Sequence, residues 1–319
     1  MIRAEHLSKH YGAIKAVDDI SFEVNEHENL ILLGTSGCGK TTTLKMLNRL
    51  IEPTGGSVWI NGEDTSTQKP EELRRGIGYV LQNNGLFPHY TVAENIAIVP
   101  QMLKWDSKRI EKRVEELIEK LHLSIDQLKA YPNELSGGQQ QRVGLARALV
   151  ADPPILLMDE PFGALDNITR SKIQIEFKEL DELKKKTIVM VTHDVQEAFT
   201  LGDRICLMDK GRIVQIGTPT DLLFRPANDF VKDFLKDQRL QLEFKTVRIK
   251  DIWTFLPETK SIERGLAVSI NSNIWAGLQS FSDDKSAHLH ITHQQETKSV
   301  RFDQLMLAFH KYQSHRAHE

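Results

Sequence analysis

Gly34-Thr35-Ser36-Gly37-Cys38-Gly39-Lys40-Thr41-Thr42 satisfies the pattern G-x-x-x-x-G-K-S/T at every specified position. Before it, Leu30-Ile31-Leu32-Leu33 is an unbroken apolar run, as a parallel strand buried on both faces requires. After it, Leu44, Leu47 and Ile51 recur at helical spacing. Strand, glycine-rich turn and helix therefore come in the order of a phosphate-binding unit. Glycines at 34, 37 and 39 permit a tight turn whose successive N–H groups converge on phosphate oxygens, and the helix N-terminus adds positive potential. Lys40 is expected to reach the β- and γ-phosphates, and the Thr41 hydroxyl to sit on an accompanying Mg2+. By itself the motif specifies only a nucleotide.

The rest of the chain narrows this. A length of 319 residues suits a large α/β domain with a smaller second one. The formal net charge of -3 gives no global attraction to nucleic acid or anionic lipid, and no local basic patch stands out, so no nucleic-acid partner is expected. Cys38 and Cys206 are too few for a disulfide framework, which fits a reducing cytoplasm. Met1-Ile2-Arg3-Ala4-Glu5 carries no signal-peptide pattern, and no apolar run approaches the roughly 20 residues needed to span a bilayer. Any membrane role is expected to be peripheral.

From Ile2 to Val24 strand-type runs alternate with turn residues, reading as an antiparallel hairpin region. Tyr11 lies where a ring could stack on a purine, although an aromatic near a strand end more often serves the core. Ile77-Gly78-Tyr79-Val80-Leu81 reads as a strand ending at Gln82, a position suited either to a Mg2+-directed amide or to a solvated loop. Leu86, Phe87 and Pro88 then form an apolar loop tip, which suits a contact surface or packing on its own domain. Asp106 to Leu123 is amphipathic, with Ile110, Val114, Leu117, Ile118 and Leu121 on one face.

Leu135-Ser136-Gly137-Gly138-Gln139 precedes a helical pattern over Gln140 to Ala151, a second anion-binding N-terminus or a simple cap. Ile155-Leu156-Leu157-Met158 is another doubly buried strand, and Asp159-Glu160 follow at its C-terminal end, where open α/β sheets bind ligands. Asp159 suits Mg2+; Glu160 suits the water that attacks a γ-phosphate. Thr187 to Val191 repeats the strand pattern and leads to His193, fit to bond a γ-phosphate or water or to be structural. Asp203 to Gln215 reads as a hairpin turning at Lys210-Gly211.

Together these motifs resemble the ATP-binding cassette (ABC) family from about Ile2 to Phe234. The resemblance implies an α/β P-loop NTPase with a mixed sheet core, an antiparallel β subdomain and an α-helical signature subdomain. It implies that Tyr11 stacks on adenine, that Gly34 to Thr42 is the Walker A loop and Gln82 the Q-loop residue, and that Leu135 to Gln139 is the LSGGQ signature. Asp159 and Glu160 match the Walker B aspartate and catalytic glutamate, Ala164-Leu165-Asp166 the D-loop, and His193 the switch histidine. ATP and Mg2+ are implied, as is a head-to-tail dimer in which Ser136 and Gly138 of one copy cap the γ-phosphate held by Lys40 of the other. Permease subunits would contact the loop after Gln82 on the cytoplasmic face of the membrane, where this chain would lie peripherally, with an extracytoplasmic binding protein acting indirectly through the permease.

Gly85 to His89, Thr91 to Ile96, Ile98-Val99-Pro100 and Leu103-Lys104-Trp105 resemble importers of glycine betaine, carnitine and choline. Importers of polyamines, sugars or sulfate share the Phe-Pro-His stretch and form the alternative, with a soluble non-transport cassette the other. The expected division is a cassette over 1–235 and an accessory domain over 236–319. The tail is expected to be a small α+β regulatory-type domain that suits one cystathionine-β-synthase-type repeat, with Val247 to Trp253 leading into it and Ile270 to Tyr312 supplying one strand-and-helix repeat; a small β-rich regulatory domain as in sugar importers is the alternative.

Overall fold

Apolar and polar residues alternate along Ile2–Tyr11 (β1) and Ile14–Val24 (β2), and the antiparallel register pairs Ile2 with Val24 and Ala4 with Phe22, so one face is buried. The protein is described by a computed structural model over residues 1–82, 85–258, 265–283, 288–294 and 296–318. Strand Asn29–Gly34 (β3) leads into helix Lys40–Leu47 (α1), then strands Gly55–Ile60 (β4) and Glu63–Asp64 (β5). Helix Pro70–Arg75 (α2) and strand Ile77–Val80 (β6) precede the helices Val92–Met102 (α3), Ser107–Lys120 (α4) and Gly137–Leu149 (α5). Strand Ile155–Asp159 (β7), helices Asn167–Glu179 (α6) and Asp181–Lys184 (α7), strand Thr187–Thr192 (β8) and helix Val195–Leu201 (α8) follow. A hairpin of Arg204–Asp209 (β9) and Arg212–Gly217 (β10) turns at Lys210-Gly211, as expected.

The first compact unit is Met1–Val214. Its central sheet runs β10-β9-β3-β8-β7-β6, with parallel pairing from β9 through β6. Leu30, Leu32, Leu156 and Val189 are wholly buried in it, which explains why these strands read as continuous apolar runs. A second sheet, β2-β1-β4-β5, is the expected antiparallel element. Helix α4 buries Val114, Leu117 and Ile118 and is capped by the Asp106 side chain, in line with its amphipathic pattern. Helix α5 begins at Gly137 rather than Gln140, because the Ser136 cap recruits both glycines into the first turn.

The second unit is Gln215–Glu319. Its boundary falls earlier than the 235/236 division expected from sequence. Helices Pro219–Phe224 (α9) and Asp229–Leu235 (α10) belong to it, ahead of Arg239–Thr246 (α11). The physical reason lies in α9: Phe224 packs edge-on to Tyr312, and Arg239 Nη2 donates to Leu223 O at 2.9 Å. Strand Leu266–Ser269 (β11), helix Ile274–Asp283 (α12), strands Leu289–His293 (β12) and Glu296–Val300 (β13) and helix Phe302–His318 (α13) complete the unit. The sheet order is β11-β12-β13, parallel then antiparallel, over a core that includes Ile249, Ile274, Leu289, Ile291, Leu305 and Phe309.

Candidate active site

The loop between β3 and α1 is built around positions that admit only glycine. A Cβ at Gly34 would lie 2.1 Å from Met208 O, and one at Gly39 2.3 Å from Ala16 O. Thr35, Ser36 and Gly37 are exposed at the loop's rim, Cys38 is buried, and Thr41 and Thr42 are half-buried in the first turn of α1. Lys40 is buried, and its Nζ donates to Gly34 O and Thr35 O at 2.8 Å each. The ammonium is thereby held within the curve of the loop, where a phosphate chain would be met by charge and by backbone N–H groups together.

At the end of β7, Asp159 is only 4% exposed, and its Oδ1 accepts the Thr41 hydroxyl at 2.8 Å. Burial pushes its carboxyl up, and the Thr41 bond and the charges of Lys45 and Lys40 offset this only in part. A buried carboxylate beside a hydroxyl is a hard, all-oxygen donor pair, which fits a divalent cation whose remaining ligands are phosphate oxygens and water. Among the described residues there is no group of three or more His, Cys, Asp or Glu placed to hold a metal ion.

Glu160 follows immediately. Its backbone has φ +46°, uncommon for a side chain of this size, and its N–H is fixed to Val191 O at 3.0 Å. The carboxylate receives Gln82 Nε2 at 3.0 Å on Oε2 and lies 3.2 Å from His193 Nδ1 on Oε1. Three residues far apart in sequence thus converge, each at the C-terminal end of a sheet strand. In this arrangement the Gln82 amide nitrogen faces the glutamate.

Ser136 caps α5 by accepting Gln139 N at 3.3 Å, while Gln139 Oε1 accepts Ser136 N at 2.8 Å. Gly138 is buried, and a Cβ there would meet Thr169 Cγ2 at 3.0 Å and Ile173 Cδ1 at 3.2 Å; one at Gly137 would reach Leu165 Cδ2 at 3.6 Å. Asp166 caps α6 through the Ile168 and Thr169 amides at 3.1 and 3.0 Å, and its hydrogen bonds to Thr169 hold its carboxyl below the usual range. Tyr11 ends β1 half-exposed, with Lys9 Nζ 5.2 Å from its ring centroid.

The ABC transporter family profile matches residues 17–163. The chain is 49% identical over 272 residues to the glycine betaine/carnitine/choline transport ATP-binding protein OpuCA of Bacillus subtilis, an alignment covering 85% of this chain and 72% of that one. It is 50% identical to the glycine betaine uptake system ATP-binding protein YehX of Escherichia coli, over 78% of this chain and 80% of the relative. This chain belongs to the ABC transporter family. Among solved structures, the dimeric ATP-binding cassette MJ0796 in a post-hydrolysis state bound to ADP and Pi superposes with a TM-score of 0.62 at 35% identity, over 68% of this chain and 98% of that one. The cassette is an ATP-binding and ATP-hydrolysing subunit of α/β P-loop fold. No helix among the described residues is long and apolar enough to cross a membrane.

Several polar residues that shape this cassette gave no sequence signal. Asn95 is fully buried and pins the loop that follows Gln82, accepting Phe87 N at 2.8 Å and donating to the carbonyls of Phe87, Tyr90 and Thr91 at 3.0 to 3.1 Å. Arg147 of α5 donates to Gly85 O at 2.7 Å in the same loop. Residues 83 and 84, within the expected contact loop, lie outside the described residues, but Phe87 at its tip is 50% exposed and Leu86 half-buried. An asparagine within a helix and an arginine ten residues beyond its start are ordinary in sequence; only the carbonyls they meet distinguish them.

Proposed function

We propose that this chain is the ATP-hydrolysing subunit of an importer for a quaternary-amine osmoprotectant such as glycine betaine, choline or carnitine. The observation that carries the hydrolytic part is the convergence of Gln82, Glu160 and His193 next to the hydrogen-bonded Thr41–Asp159 pair. Lys40 and the loop amides bind the β- and γ-phosphates of ATP, and Tyr11 offers its ring to the adenine. Thr41 and Asp159, with the Gln82 amide oxygen, would hold Mg2+, which supplies charge neutralisation at the phosphate oxygens. Glu160 accepts the proton of the attacking water; Gln82 and His193 hold the carboxylate in place. With Nδ1 donating to Glu160, the Nε2 of the neutral His193 ring is left as an acceptor for a water; only the doubly protonated ring could donate to a phosphate oxygen as well.

Two copies assemble head to tail, so that Ser136, Gly137, Gly138 and Gln139 of one face the γ-phosphate held by Lys40 of the other, with Asp166 alongside. The osmoprotectant assignment is supported by the identity to OpuCA and YehX, which extends across the loop after Gln82. That loop, presenting Phe87, is read as the permease contact, the cassette lying peripherally on the cytoplasmic face and an extracytoplasmic binding protein acting through the permease. The β11-α12-β12-β13-α13 order of the second unit supports a single cystathionine-β-synthase-type repeat in the tail.

The test is transport in vesicles by a complex of this chain with the permease encoded beside it, offering radiolabelled glycine betaine, choline and a polyamine. ATP-dependent uptake of a quaternary amine is expected. Uptake of the polyamine alone would retain the cassette and overturn the substrate class.

A further inference from the structure

Behind the hydrolytic residues a second polar network ties the His193 segment to the Asp166 loop. Asp194, the neighbour of His193, caps α8 through one carboxylate oxygen, accepting Gln196 N at 2.8 Å and Glu197 N at 3.1 Å. Its other oxygen accepts Arg170 Nη1 at 3.2 Å. Arg170 in turn donates Nη2 to Leu165 O at 2.9 Å, the residue before Asp166. On the far side of His193, the Thr192 hydroxyl accepts Asp194 N at 3.0 Å and donates to the carboxylate of Glu197, itself 3% exposed. Both residues flanking His193 are therefore fixed by side chains, and the fixing arginine spans to a loop whose Leu165 side chain lies beside Gly137.

We propose that Arg170 and Asp194, backed by Glu197 through Thr192, are positioning residues that hold His193 on Glu160 and tie it to the Leu165-Asp166 loop. The inference rests on the assignment of His193 to the hydrolytic step. Its physical basis is that the His193 side chain is exposed and, among the described residues, makes its one ion-pair contact with Glu160, so its placement depends on the backbone at 192–194. That backbone has two anchors, and the guanidinium is the one that leaves the segment and reaches another loop. A planar fork with one arm on a carboxylate and the other on a carbonyl fixes direction as well as distance.

The test is a double-mutant cycle on steady-state ATP hydrolysis by the full chain, using Arg170→Gln, His193→Ala and both together, with nucleotide affinity measured separately. Arg170→Gln is expected to lower kcat about tenfold with nucleotide affinity unchanged, and to add less than about twofold once His193 is alanine. Asp194→Ser, which retains an oxygen to cap α8, is expected to reproduce that pattern. Independent losses in the double variant, an unchanged kcat, or a loss confined to nucleotide affinity would overturn the inference. If His193→Ala alone leaves kcat intact, the assignment of His193 has failed instead, a result the cycle separates from the others.

Discussion

Glu160 Oε1 and His193 Nδ1 lie 3.2 Å apart, joining the end of β7 to the end of β8, and the opposite carboxylate oxygen accepts Gln82 Nε2 at 3.0 Å. A carboxylate held from two sides can take a proton from water without first reorienting. Glu160→Gln retains the shape and one acceptor oxygen but loses the base. The expected outcome is unchanged ATP binding, an ATP-stabilised dimer on size exclusion, and phosphate release slowed at least about a hundredfold. Wild-type turnover in this variant would remove Glu160 from the proton transfer.

The glycines of the phosphate loop differ in what they tolerate. Gly39 has φ +103°, and its Cβ would sit 2.3 Å from a backbone oxygen; Gly37 has φ +76° with nothing within 4 Å of an added Cβ. Gly39→Ala therefore adds a clash to the torsional cost, whereas Gly37→Ala bears the torsional cost alone. Thermal unfolding should show Gly39→Ala lowered by roughly 5 to 10 °C and Gly37→Ala by no more than about half of that. Equal shifts would mean that the backbone at 16–17 yields freely.

Much of this arrangement was legible in the chain, and the limits follow from what a sequence can encode locally. Apolar runs at 30–33, 155–158 and 188–191 identify the buried strands, and in an α/β sheet the polar residues that follow lie at the ligand edge; Asp159, Glu160 and His193 are singled out as candidates in this way. The positive φ at Glu160 leaves no local trace, since glutamate carries no turn preference. Arg170 resembles any charge on a half-solvated helix, because the Asp194 carboxylate and Leu165 carbonyl it joins belong to other segments. The compact units divide at 214/215 rather than 235/236 for a related reason: α9 follows β10 directly in the chain, and its attachment to α11 and α13 depends on Arg239 reaching Leu223 O and Phe224 meeting Tyr312 in space.

Glu197 gives stability a pH dependence whose sign is fixed. Burial, reinforced by Asp194 and opposed by the Thr192 hydrogen bond and the charges of Arg170 and His193, pushes its carboxyl from 4.5 up to about 7. Between those values the folded chain holds a proton that the unfolded chain has released. Its contribution is therefore fully present below about pH 4.5 and lost as pH rises through about 7, a change of about 3 kcal/mol at most. Glu197→Gln removes the titration. The difference in urea midpoint between wild type and variant should drift in the variant's favour from pH 5 to pH 7.5. A constant difference would show that Glu197 is ionised throughout.

The head-to-tail dimer proposed above, if it forms, predicts complementation between two inactive chains. Lys40→Ala removes the ammonium held at Gly34 O and Thr35 O, and each nucleotide site in its homodimer lacks that charge. Ser136→Asp keeps an N-cap of equal quality for α5, so the helix is retained, but places a carboxylate where the partner copy's γ-phosphate would lie. Either homodimer has two defective sites. In a heterodimer both defects fall in one site, because Lys40 of one copy faces Ser136 of the other, and the second site is wild type in both positions. Mixing equal amounts should recover about a quarter of wild-type hydrolysis if the sites turn over independently, since half of the dimers carry one intact site out of two. Activity in the mixture no greater than the mean of the two separate chains would rule out a site shared between copies, and would locate Ser136 away from the nucleotide that Lys40 binds.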